Sequence, residues 1–242
     1  MQKLLARAGL GSRRQIEQWI REGRIRVDGR VATLGLKAGS QARIQFDGRP
    51  VRLAREQAAP KVIALNKPLG VLCTRRDPEQ RPTVFDKLPR LKRERWLAVG
   101  RLDINTAGLL LLTTDGELAN RLMHPKYQLE REYLVRVHGE ASQAVLNKLT
   151  QGVMLEDGQA KFTRVRYSGG GASNHWYKVV LTEGRNREVR RLWEAVGFQV
   201  SKLIRTAYGP IELKRSLKPG SYEALKPKQV SRLYALTGLS AE

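Results

Sequence analysis

The feature that most constrains the fold of this chain is the order of its predicted elements from residue 61 onward. Short strand candidates, among them residues 70–77 and 95–102, follow one another through tight turns, and helical segments rarely alternate one-for-one with them. A doubly wound parallel sheet needs a crossover helix after nearly every strand, whereas antiparallel strands can be joined directly by turns. The order therefore predicts an α+β domain over residues 59–242, with a mainly antiparallel sheet mixed with helices.

The charge of the chain indicates what it binds. It has 45 Lys and Arg against 23 Asp and Glu in 242 residues, a formal net charge of +22. Such a bias favours a polyanion partner, because each neutralised phosphate releases condensed counterions. An anionic membrane surface is the competing interpretation. No stretch approaches the roughly 18 apolar residues of a spanning helix, and no signal peptide follows Met1, so we expect nucleic acid, no membrane and a cytoplasmic location.

Metal and cofactor sites are not expected. The three histidines and the single cysteine, Cys73, lie far apart in the sequence, which argues against zinc and excludes an internal disulfide. Neither a phosphate-binding GxxxxGK[ST] loop nor a GxGxxG turn occurs between a strand and a helix.

Residues 1–58 are predicted to form a separate small module of two helices and a hairpin. Ser12 and Gln15 have capping-box spacing, and Asp28-Gly29 is a typical hairpin turn. Its arginines form either a solvated charged surface or, as we prefer because they outnumber nearby acids, a phosphate-binding surface. The arginines assigned to RNA binding are Arg7, Arg13, Arg14, Arg21, Arg24 and Arg26.

The segment GRLDINTAGLLLLTTDG, residues 100–116, carries the first candidate for chemistry. Turn propensity alone favours Asp103 as a turn-capping residue. Two apolar strand candidates flank the turn, however, and would hold a reactive carboxylate on a rigid scaffold. Arg101 lies two residues before Asp103, and pairing with an arginine would keep the carboxylate ionised as nucleophile or base.

Two further segments are candidates for binding. In REYLVRV, Tyr133 alternates in phase with valines and is either a core residue or a ring that stacks on a base. In EGRNREVRRL, Arg185 and Arg187 lie at the start of a predicted helix, and Arg190 follows one residue beyond Val189. This cluster is either a solvated surface or, as we prefer, an anion site.

These segments together resemble a known family. Residues 2–48 are similar to the small RNA-binding module of ribosomal protein uS4. The motifs NKPLG, GRLDINTAGLLLLTTDG, REYLVRV and EGRNREVRRL occur in the order seen in the RsuA/RluB family of pseudouridine synthases, behind the same kind of module. The resemblance spans nearly the whole chain and implies a uS4-type module followed by a pseudouridine synthase catalytic domain.

The resemblance also implies roles for particular residues. Asp103 matches the catalytic carboxylate that acts on a flipped-out uridine, and no cofactor is needed. Arg190 matches the arginine that pairs with this carboxylate, and Tyr133 the tyrosine that stacks on the base. Arg101 matches an arginine that holds the RNA, and Leu203 an apolar residue against the uracil, although core packing explains Leu203 equally well.

The expected reaction is isomerisation of uridine to pseudouridine in 23S, large-subunit ribosomal RNA. The expected form is a monomer acting on RNA that is either naked or part of an assembly intermediate. Two alternatives stay open at this point. One is the same reaction on 16S or another structured RNA, and the other is a catalytically silent RNA-binding assembly factor.

Overall fold

The computed structural model describes residues 1–39, 41–51, 53, 59–91 and 94–240. The chain divides into two compact units. The first contains Met1–Pro60, Pro89–Leu97 and Thr114–Gly116, and the second contains Lys61–Leu88, Ala98–Thr113 and Glu117–Glu242. The predicted division between residues 58 and 59 falls at the edge of a stretch outside the described residues and stays a prediction.

The N-terminal part of the first unit packs two helices on a small sheet. Leu5, Ile16 and Ile25 are fully buried between them. The strand order is β2-β1-β3-β4. The elements are α1 (Gln2–Arg7), α2 (Arg13–Arg21), β1 (Ile25–Val27), β2 (Arg30–Val31), β3 (Ile44–Phe46) and β4 (Arg49–Pro50).

Two local sequence signals in this part are confirmed. The Ser12 side chain accepts a hydrogen bond from the Gln15 backbone while the Gln15 side chain accepts one from the Ser12 backbone, which forms the predicted capping box. Asp28 and Gly29 both have positive φ, 48° and 83°, as the tight hairpin between β1 and β2 requires.

The rest of the described chain is built around a large, mostly antiparallel sheet. Its main strand order is β11-β12-β8-β13-β7-β5-β15, and β14 also pairs with β13. The bounds are β5 (Val62–Lys67), β6 (Leu97–Ala98), β7 (Ala107–Thr113), α3 (Gly116–Met123), β8 (Arg131–His138), α4 (Gln143–Gln151), β9 (Val153–Leu155), β10 (Gly158–Ala160), β11 (Arg164–Gly170), β12 (Asn174–Leu181), α5 (Glu188–Glu194), β13 (Val200–Tyr208), β14 (Ile211–Glu212), β15 (Tyr222–Ala224) and α6 (Pro227–Leu236).

The predicted α+β class with a mainly antiparallel sheet is confirmed. In the described residues, β7 and β13 pair in parallel, whereas β11–β12, β12–β8, β8–β13, β13–β14, β7–β5 and β5–β15 pair antiparallel. The leucines at 109–112 on β7 are all fully buried, so this strand is covered on both faces. On β8, buried residues alternate with less buried ones, which separates two faces of the sheet.

Two predicted strands are wrong. Residues 70–77 contain only one bridge, between Leu72 and Thr83, because Asp77 accepts hydrogen bonds from the backbone and side chain of Arg81 and closes a loop instead. Residues 95–102 contain only the two-residue β6, so Arg101 and Asp103 do not share the face of a continuous strand.

Candidate active site

The turn that carries Asp103 is held by its backbone carbonyls. Lys67 is fully buried at the end of β5, and its Nζ donates to the carbonyl oxygens of Thr106 at 2.8 Å and Pro68 at 2.9 Å. The backbone N–H of Gly70 donates to the carbonyl of Ile104 at 3.0 Å. The loop after β5 therefore braces the turn from one side.

The pKa of Lys67 reflects its position. Burial lowers the pKa of the Lys67 ammonium, while the neighbouring Cys73 and Asp103 act in the opposite direction. The motif NKPLG marked this segment, but sequence reasoning gave Lys67 no role. The signal was a lysine at the end of an apolar strand, a position where a charged group needs buried partners.

Arg190 on α5 braces the same turn from the other side. Its side chain is buried, and its Nη2 donates to the carbonyl of Asn105 at 2.8 Å while Nη1 donates to that of Val200 at 3.0 Å. Burial lowers the pKa of the Arg190 guanidinium, with Arg187 adding to this and Asp103 opposing it. The expected ion pair with Asp103 does not form among the described residues; the terminal nitrogens donate to these backbone carbonyls, and Nε is buried without a partner there.

The Asp103 side chain is left available. Its backbone carbonyl accepts from the Thr106 N–H at 3.0 Å, which closes the turn. The carboxylate is partly exposed and accepts no hydrogen bond from the part of the chain that the structure describes. The Thr106 hydroxyl nearby is buried and also without a partner there. A carboxylate on a fixed backbone with unused oxygens can add to a base, attack a carbon or accept a proton.

Asp103 lies in the wall of a cleft of about 640 Å³. This volume lies within the range of roughly 300–1,000 Å³ that is typical of small-molecule sites. Arginines outnumber carboxylates in the lining, which suits an anionic ligand. The predicted site residues in this lining are Arg101, Asp103, Tyr133, Arg185, Arg187 and Leu203.

Tyr133 and Leu203 reach the cleft from adjacent strands. Tyr133 on β8 is 9% exposed and Leu203 on β13 is 4% exposed, and both belong to the buried face of the sheet. Each residue is thus at once part of the core and part of the cleft wall. The two interpretations open for each of them in the sequence are therefore compatible.

Sequence reasoning missed two arginines in this wall. Arg131 on β8 donates to the carbonyls of Thr182 at 2.6 Å and Glu183 at 2.7 Å. Arg205 on β13 is 2% exposed; its Nε donates to the carbonyl of Leu109, and its Nη2 is buried without a partner among the described residues. Both were detectable, because Arg131 alternates in phase with Tyr133 and Arg205 with Leu203.

The arginine cluster at the start of α5 is mostly engaged within the protein. Arg185 donates to the Glu183 carboxylate at 2.7 Å and to the carbonyl of Gln159 at 2.8 Å. Arg187 has positive φ, 49°, and its half-exposed side chain lies 3.8 Å from a Glu194 oxygen. The geometry therefore favours a bracing role for Arg185 and leaves Arg187 the more accessible cation.

The N-terminal arginines also differ in how far they are engaged within the protein. Arg13, Arg14, Arg21 and Arg26 are exposed, and the side chain of Arg7 lies outside the described residues. Arg24 forms a two-pronged ion pair with Asp47, with Nε 2.9 Å from Oδ1. This hydrogen bonding raises the pKa of the Arg24 guanidinium and lowers that of the Asp47 carboxyl.

The described residues contain no group of histidine, cysteine or acidic side chains that could hold a metal ion. None of the described helices has the length and hydropathy needed to cross a bilayer.

Family models match both parts of the chain. Residues 61–195 match the model described as RNA pseudouridylate synthase, and residues 2–52 match the S4 domain. One solved structure, titled "Crystal structure of pseudouridylate synthase", superposes with a TM-score of 0.66 at 25% identity, covering 96% of this chain and 98% of its own.

Relatives named "Ribosomal large subunit pseudouridine synthase B" match over nearly the whole chain. The protein of Pasteurella multocida (strain Pm70) is 56% identical over 245 residues, 100% of this chain and 71% of its own length. That of Escherichia coli (strain K12) is 56% identical over 246 residues, 100% of this chain and 84% of its own length. That of Pseudomonas aeruginosa is 54% identical and covers 99% of this chain and 62% of its own length.

Family, fold and relatives agree with the resemblance expected from the motifs. The chain belongs to the RNA pseudouridylate synthase family and carries an S4 domain ahead of the synthase domain.

Proposed function

We propose that this protein isomerises uridine to pseudouridine in large-subunit ribosomal RNA, with the Asp103 carboxylate acting on a uridine that has left the base stack. The observation that carries the proposal is the Asp103 carboxylate itself, which lies on a cleft wall without a hydrogen-bond partner among the described residues, while the backbone on either side is held by Lys67, Gly70 and Arg190. The names of the relatives supply the class of RNA.

The chemistry balances without a cofactor. The bond from ribose C1′ to uracil N1 breaks, the base turns, a bond from C1′ to C5 forms, and the proton on C5 is lost as N1 gains one. Addition of Asp103 to the base, attack on C1′ and removal of a ribose proton are three first steps that a free carboxylate can perform.

Neighbouring groups have supporting roles in this proposal. Tyr133 presents its ring to the flipped base, and Leu203 gives the uracil an apolar contact. Arg101 is exposed at the cleft and binds the RNA backbone beside the extruded nucleotide. Arg190 acts as a positioning residue, because it holds the Asn105 carbonyl two residues from Asp103.

The partner and setting follow from the same chemistry. Flipping a base costs a few kcal/mol, least in loops and bulges, and an enzyme with a net charge of +22 offsets that cost through phosphate contacts. We propose a monomer acting in the cytoplasm on ribosomal RNA, either naked or within an assembly intermediate.

The Asp103→Asn variant tests the proposed chemistry. Asparagine keeps the shape of the side chain but removes the charge, so we expect tritium release from a transcript with 5-tritiated uridine to fall below detection while RNA affinity stays within about twofold. Glu194→Gln, an exposed carboxylate on α5, is the matched control and should release tritium like the wild type. Full activity of Asp103→Asn would disprove the assignment.

The RNA target needs a separate experiment. Carbodiimide adducts of pseudouridine are mapped by primer extension on both ribosomal RNAs, from cells with and without the gene. In the cells without the gene, one primer-extension stop in the large-subunit RNA should be lost. A lost stop in the small-subunit RNA alone would contradict the proposed target and keep the reaction. No lost stop in any RNA would favour the silent assembly factor.

A further inference from the structure

The large sheet has a second exposed surface that the reaction does not use. Tyr133, Leu203 and the other cleft residues on β8 and β13 belong to the buried face, and Arg136 and Lys202 alternate with them on the opposite face. We name this opposite surface the basic sheet face. Its basic and aromatic residues are Arg136, Arg164, Arg166, Trp176, Lys178 and Lys202, and the Glu132 carboxylate lies on the same face.

Cations lie directly across from cations on this surface. Arg166 on β11 pairs with Lys178 on β12, and Lys202 on β13 pairs with Arg136 on β8. Like charges directly opposite each other destabilise a sheet. A polyanion bound over the strands would remove this repulsion.

Carboxylates neutralise only one end of the face. Arg164 lies 3.3 Å from Glu130, and Lys178 lies 3.5 Å from Glu132. Arg136 and Lys202, at the other end beside Trp176, have no carboxylate partner within ion-pair distance among the residues described. Arg166, directly opposite Lys178, also has none. The two cations beside Trp176 therefore carry positive charge that no neighbouring carboxylate offsets.

Trp176 gives this basic end an aromatic surface. Its half-buried ring lies on β12 beside Arg136 on β8, with the Arg136 guanidinium 5.7 Å and the Lys202 ammonium 5.9 Å from the ring centroid. A partly exposed aromatic ring beside cations on a strand surface is an arrangement that binds single-stranded nucleic acid, with bases stacked on the ring and phosphates on the cations.

We propose that the basic sheet face is a second RNA-binding surface, which binds a strand of the same ribosomal RNA away from the target uridine. This inference rests on the proposed function, because it takes ribosomal RNA as the ligand. The surface anchors the substrate from the back of the sheet and takes no part in the chemistry.

The ring is tested in the full-length protein with a large-subunit rRNA transcript as the probe. Trp176→Ala should raise the dissociation constant about tenfold, within the range expected for the loss of one stacked base. Trp176→Phe should keep most of the wild-type affinity. Tyr222→Ala, an exposed aromatic residue on β15 at the far edge of the sheet, is the matched control and should bind like the wild type.

The cations are tested by Arg166→Ala/Lys202→Ala, which removes two charges from exposed positions. The slope of log affinity against log salt should become shallower by about 1.5, as for two lost phosphate contacts. Lys218→Ala/Lys228→Ala removes the same charge from exposed positions outside the face and should leave the slope unchanged. The control variants Tyr222→Ala and Lys218→Ala/Lys228→Ala should keep the wild-type single-turnover rate at saturating enzyme.

Equal binding by Trp176→Ala, the double variant and both controls would overturn the proposal. Unchanged binding of the transcript together with weaker binding of partly assembled large subunits would also overturn it, in favour of a protein partner. Tritium release by the wild type is measured on the same transcript. Its absence would count against the proposed function, whereas the binding comparison tests the basic sheet face by itself.

Discussion

At the scale of single residues, the cleft depends on buried cations that hold backbone carbonyls. Lys67 and Arg190 each donate to a carbonyl of the turn at residues 103–106, and neither reaches the Asp103 carboxylate. A charged donor is roughly twice as strong as a neutral one in such a bond. The position of Asp103 is thus set by its backbone, which leaves its side chain free for a substrate.

Replacing Lys67 by methionine should damage both stability and activity. The change leaves the buried Thr106 carbonyl and the partly buried Pro68 carbonyl without their donor, so we expect the free energy of unfolding in urea to fall by roughly 2 to 4 kcal/mol. The single-turnover rate should fall as well, because the turn carrying Asp103 loosens. Lys218→Met, at an exposed position, should change neither quantity. Wild-type rates in a folded Lys67→Met protein would rule out the bracing role.

Glu188 at the cleft gives a pH-dependent prediction. It is 4% exposed, and burial raises the pKa of its carboxyl above the ordinary 4.5. The folded state therefore binds this proton more tightly than the unfolded chain, and the contribution to stability is lost as pH rises through the raised pKa. Glu188→Gln should have a higher Tm than the wild type at pH 7, with the difference vanishing as pH falls below about 4.5.

The control for this prediction lies on the same helix. Glu194→Gln removes an exposed carboxylate, and surface pairs contribute little, so its Tm should follow the wild type at every pH. If the Tm difference between Glu188→Gln and the wild type were the same at every pH, packing and not protonation would be its cause.

At the scale of elements, the site depends on the parallel contact between β7 and β13. Gly108 on β7 lies directly beside Arg205 on β13, and a Cβ at residue 108 would overlap the Arg205 backbone. Gly108 also has φ of +103°, which L side chains rarely adopt. This glycine therefore permits the close approach that brings Asp103, ahead of β7, next to Leu203 and Arg205 in one cleft.

Gly108→Ala should destabilise the protein more than the backbone conformation alone explains. Gly220 also has positive φ, +83°, but has open space around it, so Gly220→Ala reports the conformational cost by itself. We expect Gly108→Ala to lose roughly 1 to 3 kcal/mol more than Gly220→Ala in urea unfolding, because it also forces β7 and β13 apart. Equal losses would show that the strands adjust without cost.

At the scale of the whole molecule, the proposed function assigns binding and chemistry to different parts of the chain. Cations of the S4 domain, the cleft and the basic sheet face contribute to the net charge of +22, while the proposed reaction needs one carboxylate. The affinity for RNA should therefore depend strongly on salt, and the chemical step should not.

The exposed arginines of α2 test this division. Arg13→Ala/Arg14→Ala should make the slope of log affinity against log salt shallower by about 1.5, since two phosphate contacts are lost. The single-turnover rate at saturating enzyme should stay at the wild-type value. Lys218→Ala/Lys228→Ala again controls for total charge. An unchanged slope in the arginine variant would show that this helix does not contact RNA.

What could be predicted from the sequence depends on interactions between near neighbours. The capping box at Ser12, the hairpin at Asp28-Gly29 and the alternation on β8 are local, and each is confirmed. The order of the motifs along the chain, which is read without any tertiary contact, identified the family. The strand predicted over residues 70–77 was wrong because the Asp77 carboxylate accepts hydrogen bonds from the backbone and side chain of Arg81, and this local bonding competes with strand pairing.

The sequence by itself determined the family, the α+β class and the carboxylate on which the proposed chemistry rests. Only the tertiary structure decided which cations are free. Arg24 and Arg185 are bound to acids and carbonyls within the protein, Arg190 holds a carbonyl in place of the expected Asp103 carboxylate, and Arg205 lies in the cleft wall. An arginine satisfies its donors with whatever acceptors folding brings near, and those acceptors are mostly distant in sequence.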